Sequence, residues 1–436
     1  MDSLESVIVD NKHTFGDDKM GTKANLTSIP TLVESPFIIA TIGGYTFGSY
    51  TAEGSAHSYG ASVKVSYPNF MKSMNITKIN GTVNTYTLNF SYQVATGQDP
   101  NLLDKIFSKA TKDRQITLKY GDWNAPSYIY KEEVAIITSI TCSLNMSNQS
   151  IDYSVNCTSD AIGLTSMSYN FPAREAKPSD VLKQLLNNPR YGLKSVFTGM
   201  KDSQSVLSNN LIASNDKKVS LLAKKNTTPL SYMNYLVDCM SSTANSSGSP
   251  IQRSSYYLSI HDDTSNQMGG TYFKVTEVTG NTSSYVATDT YEVDINYPDD
   301  NFVTQFTLNN DQSWAILYEY SQSVKQEEYT YSINDEGKLV SEYAPSLVRS
   351  KVTNGASSSK SSWWTKMTQF PISATLTIKG LTRPSILMSY VKVNVWFTGG
   401  QKHISSGLYI ITKQVDNIDS SGYKTTLTLQ RVGGDE

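Results

Sequence analysis

Hydrophobic and polar positions alternate along residues 62–159 in the way that half-buried β-strands require. The clearest run has Tyr86, Leu88, Phe90, Tyr92 and Val94 separated by Thr, Asn, Ser and Gln. A period of two predicts a strand with one face on a core and the other in water. A second pair of strands is predicted at residues 133–144 and 151–158. These patterns together predict a complete β-domain.

One helix is predicted inside this block. Asp99 can cap it, Pro100 suits its first turn, and one apolar stripe contains Leu102, Leu103, Ile106, Phe107 and Ala110. Before the block, Gly43 and Gly44 separate two apolar runs and predict a tight hairpin. A glycine loop that cradles phosphate is disfavoured there, because neither Gly-Lys-Ser/Thr nor a helical pattern follows.

The pattern changes after the first block. A short amphipathic helix is predicted over residues 181–186, capped by Ser179 and stopped by Pro189. A second helix is predicted to begin at Pro229, behind Thr228. These helices predict a mixed middle region.

Strand patterns return from about residue 300 and are clearest near the end of the chain. Residues 391–397, 408–414 and 423–429 have the alternation, and a turn is predicted at residues 419–422. The predicted fold class is mainly β with an α+β middle region and a β-domain on each side of it. The predicted organisation is an arm (1–30), a first β-domain (31–168), a helical connector (169–215), a mixed α/β middle domain (216–300) and a second β-domain (301–436) with a Ser-rich loop (354–362).

The amino-acid composition supports the mainly β fold class and disfavours binding to nucleic acid or membranes. A chain of 436 residues is too long to fold around one compact core. Only 17% of the residues are charged, whereas 38% are hydrophobic. With 37 Lys and Arg against 39 Asp and Glu, the net charge is −2, so the sequence has no basic footprint for nucleic acid or an anionic membrane. No apolar run approaches the length of a membrane-spanning helix, and no signal peptide is evident, so we expect a soluble protein made in a reducing cytoplasm.

Candidate catalytic chemistry is sparse. The four histidines are scattered, and only His261, Asp262 and Asp263 resemble a metal or acid/base cluster. Adjacent residues of a strand point to opposite faces, so a solvated turn is favoured there over a site. The carboxylate pairs at residues 299–300 and 327–328 raise the possibility of a glycosidase, but sequence neighbours do not face each other across a sugar. We therefore predict no catalytic residue, no metal site and no cofactor.

The three cysteines do not form a disulfide framework. With a two-residue turn at residues 149–150, Cys142 and Cys157 would lie opposite each other on the apolar face. The prediction is two buried free thiols, with Cys239 packed in the second helix.

Trp363 and Trp364 directly follow the Ser-rich loop. The favoured interpretation is that they begin a strand and pack in a core. The alternative is an anchor for a partner, because Trp is enriched at the centres of interfaces. They are the only candidate interface residues that the sequence offers.

Several segments together resemble the first barrel of the baseplate central hub proteins of contractile-tailed bacteriophages. These are Tyr67-Pro68-Asn69-Phe70, residues 86–94, Gln98-Asp99-Pro100-Asn101, Tyr120-Gly121-Asp122 and residues 129–133, and residues 406–432 resemble the closing strands of the family's second barrel. The resemblance implies two tail-tube-like β-barrel domains per chain in a homotrimer. That trimer would join the central spike protein to the hexameric tail tube or a tube-initiator protein.

The resemblance implies a non-enzymatic structural protein of the virion tail baseplate, assembled in the host cytoplasm. Other baseplate (wedge) proteins would be further partners, DNA would pass through without specific binding, and no membrane insertion is expected. Two duplicated domains repeated by threefold symmetry would present six similar surfaces, which is what a symmetry adaptor needs. The alternatives are a tube-initiator or peripheral baseplate protein and, less favoured, a cell-wall-degrading glycosidase.

Overall fold

The computed structural model describes a mainly β protein. The described residues are 36–42, 45–49, 67–93, 114–122, 131–186, 217–244, 254–262, 271–279, 287–294, 303–310, 329–333, 339–343, 372–380, 387–397 and 400–434. The predicted arm, the predicted helix after Asp99, the Ser-rich loop and the two carboxylate pairs lie outside these residues.

The N-terminal unit (residues 36–159) is a closed ring of strands. Its strands are β1 (Pro36–Ile42), β2 (Tyr45–Ser49), β3 (Tyr67–Ile79), β4 (Thr85–Gln93), β5 (Gln115–Asp122), β6 (Lys131–Asn145) and β7 (Ser150–Ser159). Around the ring they follow the order β3-β2-β1-β5-β6-β7-β4 and return to β3, with only β2 and β3 running parallel. The predicted strands near residues 86–94, 133–144 and 151–158 and the hairpin around residues 43–44 are confirmed.

The middle unit (residues 160–279) combines helices with short hairpins. It contains a 3₁₀ turn (Asp160–Ile162), α1 (Gly163–Ser166), β8 (Tyr169–Phe171), β9 (Arg174–Ala176), α2 (Pro178–Leu186), β10 (Val219–Leu221), β11 (Lys224–Thr227), α3 (Pro229–Ala244), β12 (Ser254–His261) and β13 (Tyr272–Thr279). The helices and β12 share one core, which includes Leu182 of the predicted connector and Met233 of α3.

The two predicted helix starts have different outcomes. α3 begins at Pro229 as predicted, and the Thr228 hydroxyl accepts a hydrogen bond from the Ser231 amide at 3.3 Å. The predicted cap at Ser179 is wrong. α2 begins one residue earlier, at Pro178, so Ser179 lies within its first turn.

The C-terminal unit (residues 287–434) is a second curled sheet. Its strands are β14 (Asp289–Asp294), β15 (Val303–Asn310), β18 (Ile372–Lys379), β19 (Tyr390–Phe397), β20 (Gln401–Lys402), β21 (Gly407–Asp419) and β22 (Gly422–Gly434), and a separate hairpin is formed by β16 (Tyr329–Ile333) and β17 (Leu339–Tyr343). The main order is β14-β19-β21-β22-β18-β15, with β14 and β19 parallel. β14 thus pairs here although its residues fall within the range 216–300 predicted for the middle domain.

The long hairpin β21–β22 belongs to two hydrophobic cores. Near its open end, Tyr409, Ile411, Leu427 and Leu429 pack in the core of the C-terminal unit. Near its turn, Ile418 and Tyr423 pack in the core of the N-terminal unit, and β21 pairs with β3 there. The units are therefore joined by continuous sheet rather than by a linker alone.

Candidate functional site: a polar sheet face and a buried junction

One antiparallel sheet of eight strands runs through both β-units. Its order is β15-β18-β22-β21-β3-β4-β7-β6, and every neighbouring pair in it is antiparallel. The link between the units is the pairing of β21 with β3, from Lys413 opposite Ile79 to Ile418 opposite Met74. The sheet offers one extended surface to solvent and one to the two cores.

The solvent-facing side of this sheet, here called the polar face, consists mostly of hydroxyl and amide side chains. Its members are Gln305, Thr307, Asn309, Ser373, Thr375, Thr377, Thr426, Thr428, Gln430, Asn417, Ser73, Asn75, Thr77, Thr85, Thr87, Asn89, Ser91, Ser154, Asn156, Ser139, Thr141 and Ser143. Charged side chains also occur on it, and both signs are present: Asp152, Lys379, Lys413, Asp419 and Lys424.

Cross-strand hydrogen bonds order part of the polar face. Asn89 Nδ2 donates to Ser73 Oγ at 2.9 Å, Thr87 Oγ1 donates to Asn156 Oδ1 at 3.2 Å, and Asn156 Nδ2 donates to Ser139 Oγ at 3.1 Å. Such lateral pairs stabilise a sheet and satisfy the polar groups within it. The result is a hydrogen-bonded surface on which uncharged side chains predominate.

A buried ion pair lies on the opposite side of the same strands. Along β3, Met74, Ile76 and Lys78 alternate onto the core face, and Lys78 is fully buried against Glu133 of β6. The hydroxyls of Tyr86 and Tyr120 donate to Glu133 at 2.7 and 2.6 Å. Burial alone raises the pKa of Glu133, but Lys78 and the two hydroxyls outweigh it and hold the pKa below its ordinary value.

The middle unit adds a second buried carboxyl, Asp262. Its Oδ1 accepts from Ser159 Oγ at 2.6 Å and Thr271 Oγ1 at 2.7 Å, and its Oδ2 accepts from Asn84 Nδ2 at 2.7 Å. Burial, with a smaller contribution from the Glu133 charge, raises the pKa of Asp262 despite these donors. The Tyr86 hydroxyl lies 3.0 Å from Asp262 Oδ2, and its single proton is shared between two carboxyl groups.

The C-terminal unit supplies a third, Asp416 of β21. It accepts from Thr425 Oγ1 at 2.6 Å, Gln414 Nε2 at 2.7 Å and the Tyr423 hydroxyl at 3.1 Å. Burial lowers the pKa of Lys78, but the charges of Glu133, Asp416 and Asp262 reverse the effect and raise it. Lys78 thus forms its ion pair with Glu133 of its own unit and feels the charges of carboxyl groups from the other two units.

We call Lys78, Glu133, Asp262 and Asp416, with their hydroxyl and amide partners, the junction network. A rotation of the middle unit would break the hydrogen bonds of buried Asp262 to Asn84 and Ser159, and a buried polar group left without a partner costs about 1–3 kcal/mol. The network therefore resists rotation of the middle unit against the N-terminal unit, while the pairing of β21 with β3 holds the C-terminal unit.

The turn between β3 and β4 makes further contacts at the same place. Gly81 N donates to the Leu258 carbonyl at 2.6 Å, and Asn234 Nδ2 donates to the Gly81 carbonyl at 2.8 Å. Asn80 N donates to the Thr412 carbonyl of β21 at 3.2 Å. This one turn of the N-terminal unit contacts both other units.

The expectation that His261, Asp262 and Asp263 form a solvated turn is wrong for the two described residues. His261 is 2% exposed and Asp262 is fully buried. The His261 ring lies 2.8 Å from Ser259 Oγ, and burial, with the nearby charges of Lys274 and Lys78, lowers its pKa to about 3. Two partners of Asp262, Asn84 and Ser159, are distant in sequence, which is why local composition suggested a turn. Asp263 lies outside the described residues.

The predicted placement of Cys142 opposite Cys157 is also wrong. The turn between β6 and β7 spans four residues, 146–149, so Cys142 lies opposite Tyr153 and Cys157 opposite Ile137. Cys142 is exposed, whereas Cys157 and Cys239 are buried, and burial raises the pKa of Cys157 to about 12. A β-bulge between Ile137 and Ser139 adds to the shift.

Trp363 and Trp364, the predicted interface residues, lie outside the described residues. The polar face and the junction network were not predicted. A signal for the network exists in hindsight, because Lys78 and Glu133 are in phase with the apolar positions of their strands. Within the described ranges, no group of His, Cys, Asp and Glu has the arrangement of a metal site. The described helices are too short or too polar to span a bilayer.

No protein-family model and no curated protein matches the sequence. Among solved structures, a tail protein from Neisseria meningitidis is similar at 10% identity and a TM-score of 0.48, covering 91% of this chain and 97% of that one. The 43 kDa tail protein of prophage MuSo2 from Shewanella oneidensis matches at 11% identity and a TM-score of 0.47, covering 92% and 100%. A component of the Escherichia coli type VI secretion system matches at 9% identity and a TM-score of 0.43, covering 84% and 75%. At these values the similarities do not assign a function to this chain.

Proposed function

We propose that this protein is a structural hub of a contractile tail or a related injection machine. Three copies would join a central spike to a sixfold tail tube and form part of the conduit. The observation that carries the proposal is the eight-stranded sheet, which spans both β-units and presents a polar face composed mostly of uncharged side chains. Two β-units in each of three copies provide six places for a sixfold partner.

The polar face suits a conduit for a polyanion. A lumen rich in Lys and Arg would hold DNA by releasing its counterions, and the affinity would rise with each phosphate neutralised. Most of the polar face consists of hydroxyl and amide side chains, and its three lysines, of which Lys379 and Lys424 lie opposite each other, are accompanied by Asp152 and Asp419. DNA would therefore pass without specific binding, and no cofactor or catalytic residue is needed.

The junction network suits the mechanical role. A hub that joins threefold and sixfold partners must keep its two β-units at a fixed angle, since any rotation would misalign its six docking places. Continuous pairing of β21 with β3 resists separation of the two β-units, and hydrogen bonds from Asn84 and Ser159 to buried Asp262 hold the middle unit against the N-terminal unit. Localisation in the virion tail baseplate, after assembly in the host cytoplasm, follows from this role.

The test is the solution mass of the purified chain by light scattering, followed by negative-stain imaging. A mass of about 145 kDa, three times 48.2 kDa, and a ring with a central hole would support the hub. A chain that stays monomeric at all concentrations and binds neither spike nor tube would overturn it. Clearing of a peptidoglycan suspension would instead favour the glycosidase.

A further inference from the structure

The middle unit carries a two-stranded ribbon that the chain assembles from two separate segments. β8 pairs with β11, and β9 pairs with β10, both in antiparallel sense. Because β8 leads directly into β9 and β10 leads directly into β11, residues 169–177 and residues 217–227 run beside each other along their length. We call these two segments the basic ribbon.

Basic side chains dominate this ribbon. Against a single acidic residue, Glu175, it has one arginine and five lysines: Arg174, Lys177, Lys217, Lys218, Lys224 and Lys225. All of the basic residues are exposed except Lys224, which is half-buried. The whole sequence has nearly balanced charge, so this local excess arises because folding brings together two basic segments that are distant in sequence.

The exposed basic groups of the ribbon are not neutralised by acidic neighbours. Lys177, Lys218 and Lys225 make no ion pair with any described residue. Arg174 Nη1 donates to the neutral amide oxygen of Gln184 at 3.2 Å. Like charges that lie close together repel each other, so an acidic partner would relieve this repulsion when it binds.

An aromatic stack beneath the ribbon holds it in one conformation. The rings of Phe171 and Tyr232 are stacked with their centroids 3.9 Å apart, and the Tyr235 ring lies 5.9 Å from that of Tyr232. The Tyr235 hydroxyl accepts from the Leu222 amide at 3.0 Å, and Lys224 Nζ lies 4.5 Å from the centre of the Tyr235 ring. A surface that is ordered before binding loses less conformational entropy when its partner arrives.

Exposed apolar residues accompany the basic ones. Leu222, which connects β10 to β11, is 37% exposed, and the adjacent Ala223 is exposed as well. Met167, just before β8, is 64% exposed. Protein–protein interfaces have this composition, with apolar residues surrounded by a polar and charged rim.

The apolar residues favour a polypeptide over other polyanions. The phosphate backbone of a nucleic acid offers nothing that would cover Leu222, whereas a polypeptide can bring carboxylates and an apolar side chain together. Binding to a membrane surface requires apolar side chains that reach well into the acyl boundary. Leu222 is held against Tyr235 through its backbone and is only 37% exposed, so it does not project in that way.

We infer that the basic ribbon is a docking surface for an acidic segment of another polypeptide. Carboxylates of that segment would pair with the exposed lysines, and an apolar side chain between them would cover Leu222. The inference goes beyond the proposed hub and does not depend on it, because the ribbon is complete within a single copy of the chain. In a hub, this surface would attach one further protein to each copy.

The first test is the binding of three labelled synthetic peptides of equal length, followed by fluorescence anisotropy at low salt. One peptide combines glutamates with leucines, the second has serine in place of leucine, and the third has lysine in place of glutamate. We expect the first to bind most tightly and the second to bind about threefold to tenfold more weakly, because it cannot cover Leu222. The third should not bind, and added salt should weaken the binding of the first.

The second test compares two triple variants that lose the same net charge from different surfaces. The ribbon variant carries Lys177→Ala, Lys218→Ala and Lys225→Ala, and the control variant carries Lys379→Ala, Lys413→Ala and Lys424→Ala on the polar face. All three ribbon lysines are exposed, so the ribbon variant should fold. We expect it to bind the glutamate–leucine peptide about tenfold more weakly than wild type, and the control to bind it unchanged.

A single substitution tests the apolar part of the surface. Leu222→Ser should remove the preference for the glutamate–leucine peptide over the glutamate–serine peptide while leaving the binding of the latter unchanged. A preference that survives this substitution would show that the leucines bind elsewhere and would overturn the proposed contact.

The remaining outcomes separate the docking surface from the function. Equal weakening in the two triple variants would show attraction to net charge alone and would overturn the inference. A DNA duplex or phosphatidylserine vesicles that bind the ribbon more tightly than the peptide would also overturn it. A trimeric protein that binds no peptide leaves the hub intact without the docking surface, whereas a monomer that binds the peptide through the ribbon supports the surface and not the hub.

Discussion

The buried pair of Lys78 and Glu133 gives the sharpest test of the ionic centre of the junction network. Glu133→Gln keeps the size of the side chain but removes the carboxylate that contacts Lys78 and accepts from two tyrosine hydroxyls. Removing one partner of a buried ion pair leaves an uncompensated charge and costs about 3–5 kcal/mol. Since the free energy of unfolding of a domain is about 5–15 kcal/mol, the variant should lose a large part of its stability.

The assay is urea unfolding followed by circular dichroism, at one protein concentration, for wild type, Glu133→Gln, Lys78→Met and the double variant. Each single change should lower the free energy of unfolding by about 3–5 kcal/mol. The double variant removes both charges, so its loss should be smaller than the sum of the single losses by about 2 kcal/mol or more.

A surface pair between β5 and β6, next to Glu133, provides the control. Lys119 and Glu132 are 3.3 Å apart, with side chains 40% and 28% exposed. Glu132→Gln should change the free energy of unfolding by no more than about 1 kcal/mol. The reasoning fails if Glu133→Gln is as mild as Glu132→Gln, or if the two single losses at the buried pair simply add.

Three further predictions concern the junction turn, its histidine and the polar face. Gly81→Ala should destabilise more than Gly400→Ala in thermal melts, because both residues have φ near +75° but only at Gly81 would a Cβ meet Asn234, at 2.9 Å; equal losses would show that the backbone angle alone matters. Because the pKa of His261 is lowered to about 3 from 6.5, the unfolded chain binds the extra proton, so stability should fall as the pH drops from 6.5 towards 3. His261→Gln should flatten that part of the urea-unfolding pH profile, and an unchanged slope would contradict the burial argument. Thr87→Lys, on the polar face, should leave the melting temperature nearly unchanged yet create salt-sensitive DNA retention in a filter-binding assay, whereas salt-independent retention would argue against counterion release.

The sequence predicted those strands and helices whose pattern of apolar and polar residues, or whose starting residues, lie within or directly beside the element. Alternation located β4, β6, β7, β19, β21 and β22, and Thr228 with Pro229 located the start of α3. Such signals survive folding because the period of the side chains matches the period of the backbone. The domain boundaries remain predictions, although β14 pairs with a strand about one hundred residues later.

The wrong predictions concerned features that depend on how separate elements meet, such as turn length, strand register and contacts between units. The opposite placement of Cys142 and Cys157 required the turn length and the bulge in β6, neither of which alternation specifies. Asp262 looked solvated because its partners, Asn84 and Ser159, come from another unit. Trp363 and Trp364 lie in residues that the structure does not describe, so their role stays a prediction.

The hairpin β21–β22 has a consequence for the order in which the protein can mature. The core of the N-terminal unit includes Ile418 and Tyr423, and the ribosome makes these residues more than three hundred residues after β3. Pairings so far apart along the chain form late and slow folding. A chain cut short before residue 407 would lack the strand beside β3 and the Asp416 carboxyl near Lys78, leaving an exposed edge and a weakened junction. The last residues to be synthesised therefore complete the first unit to be started, so an aborted translation product would not offer a finished N-terminal unit for assembly.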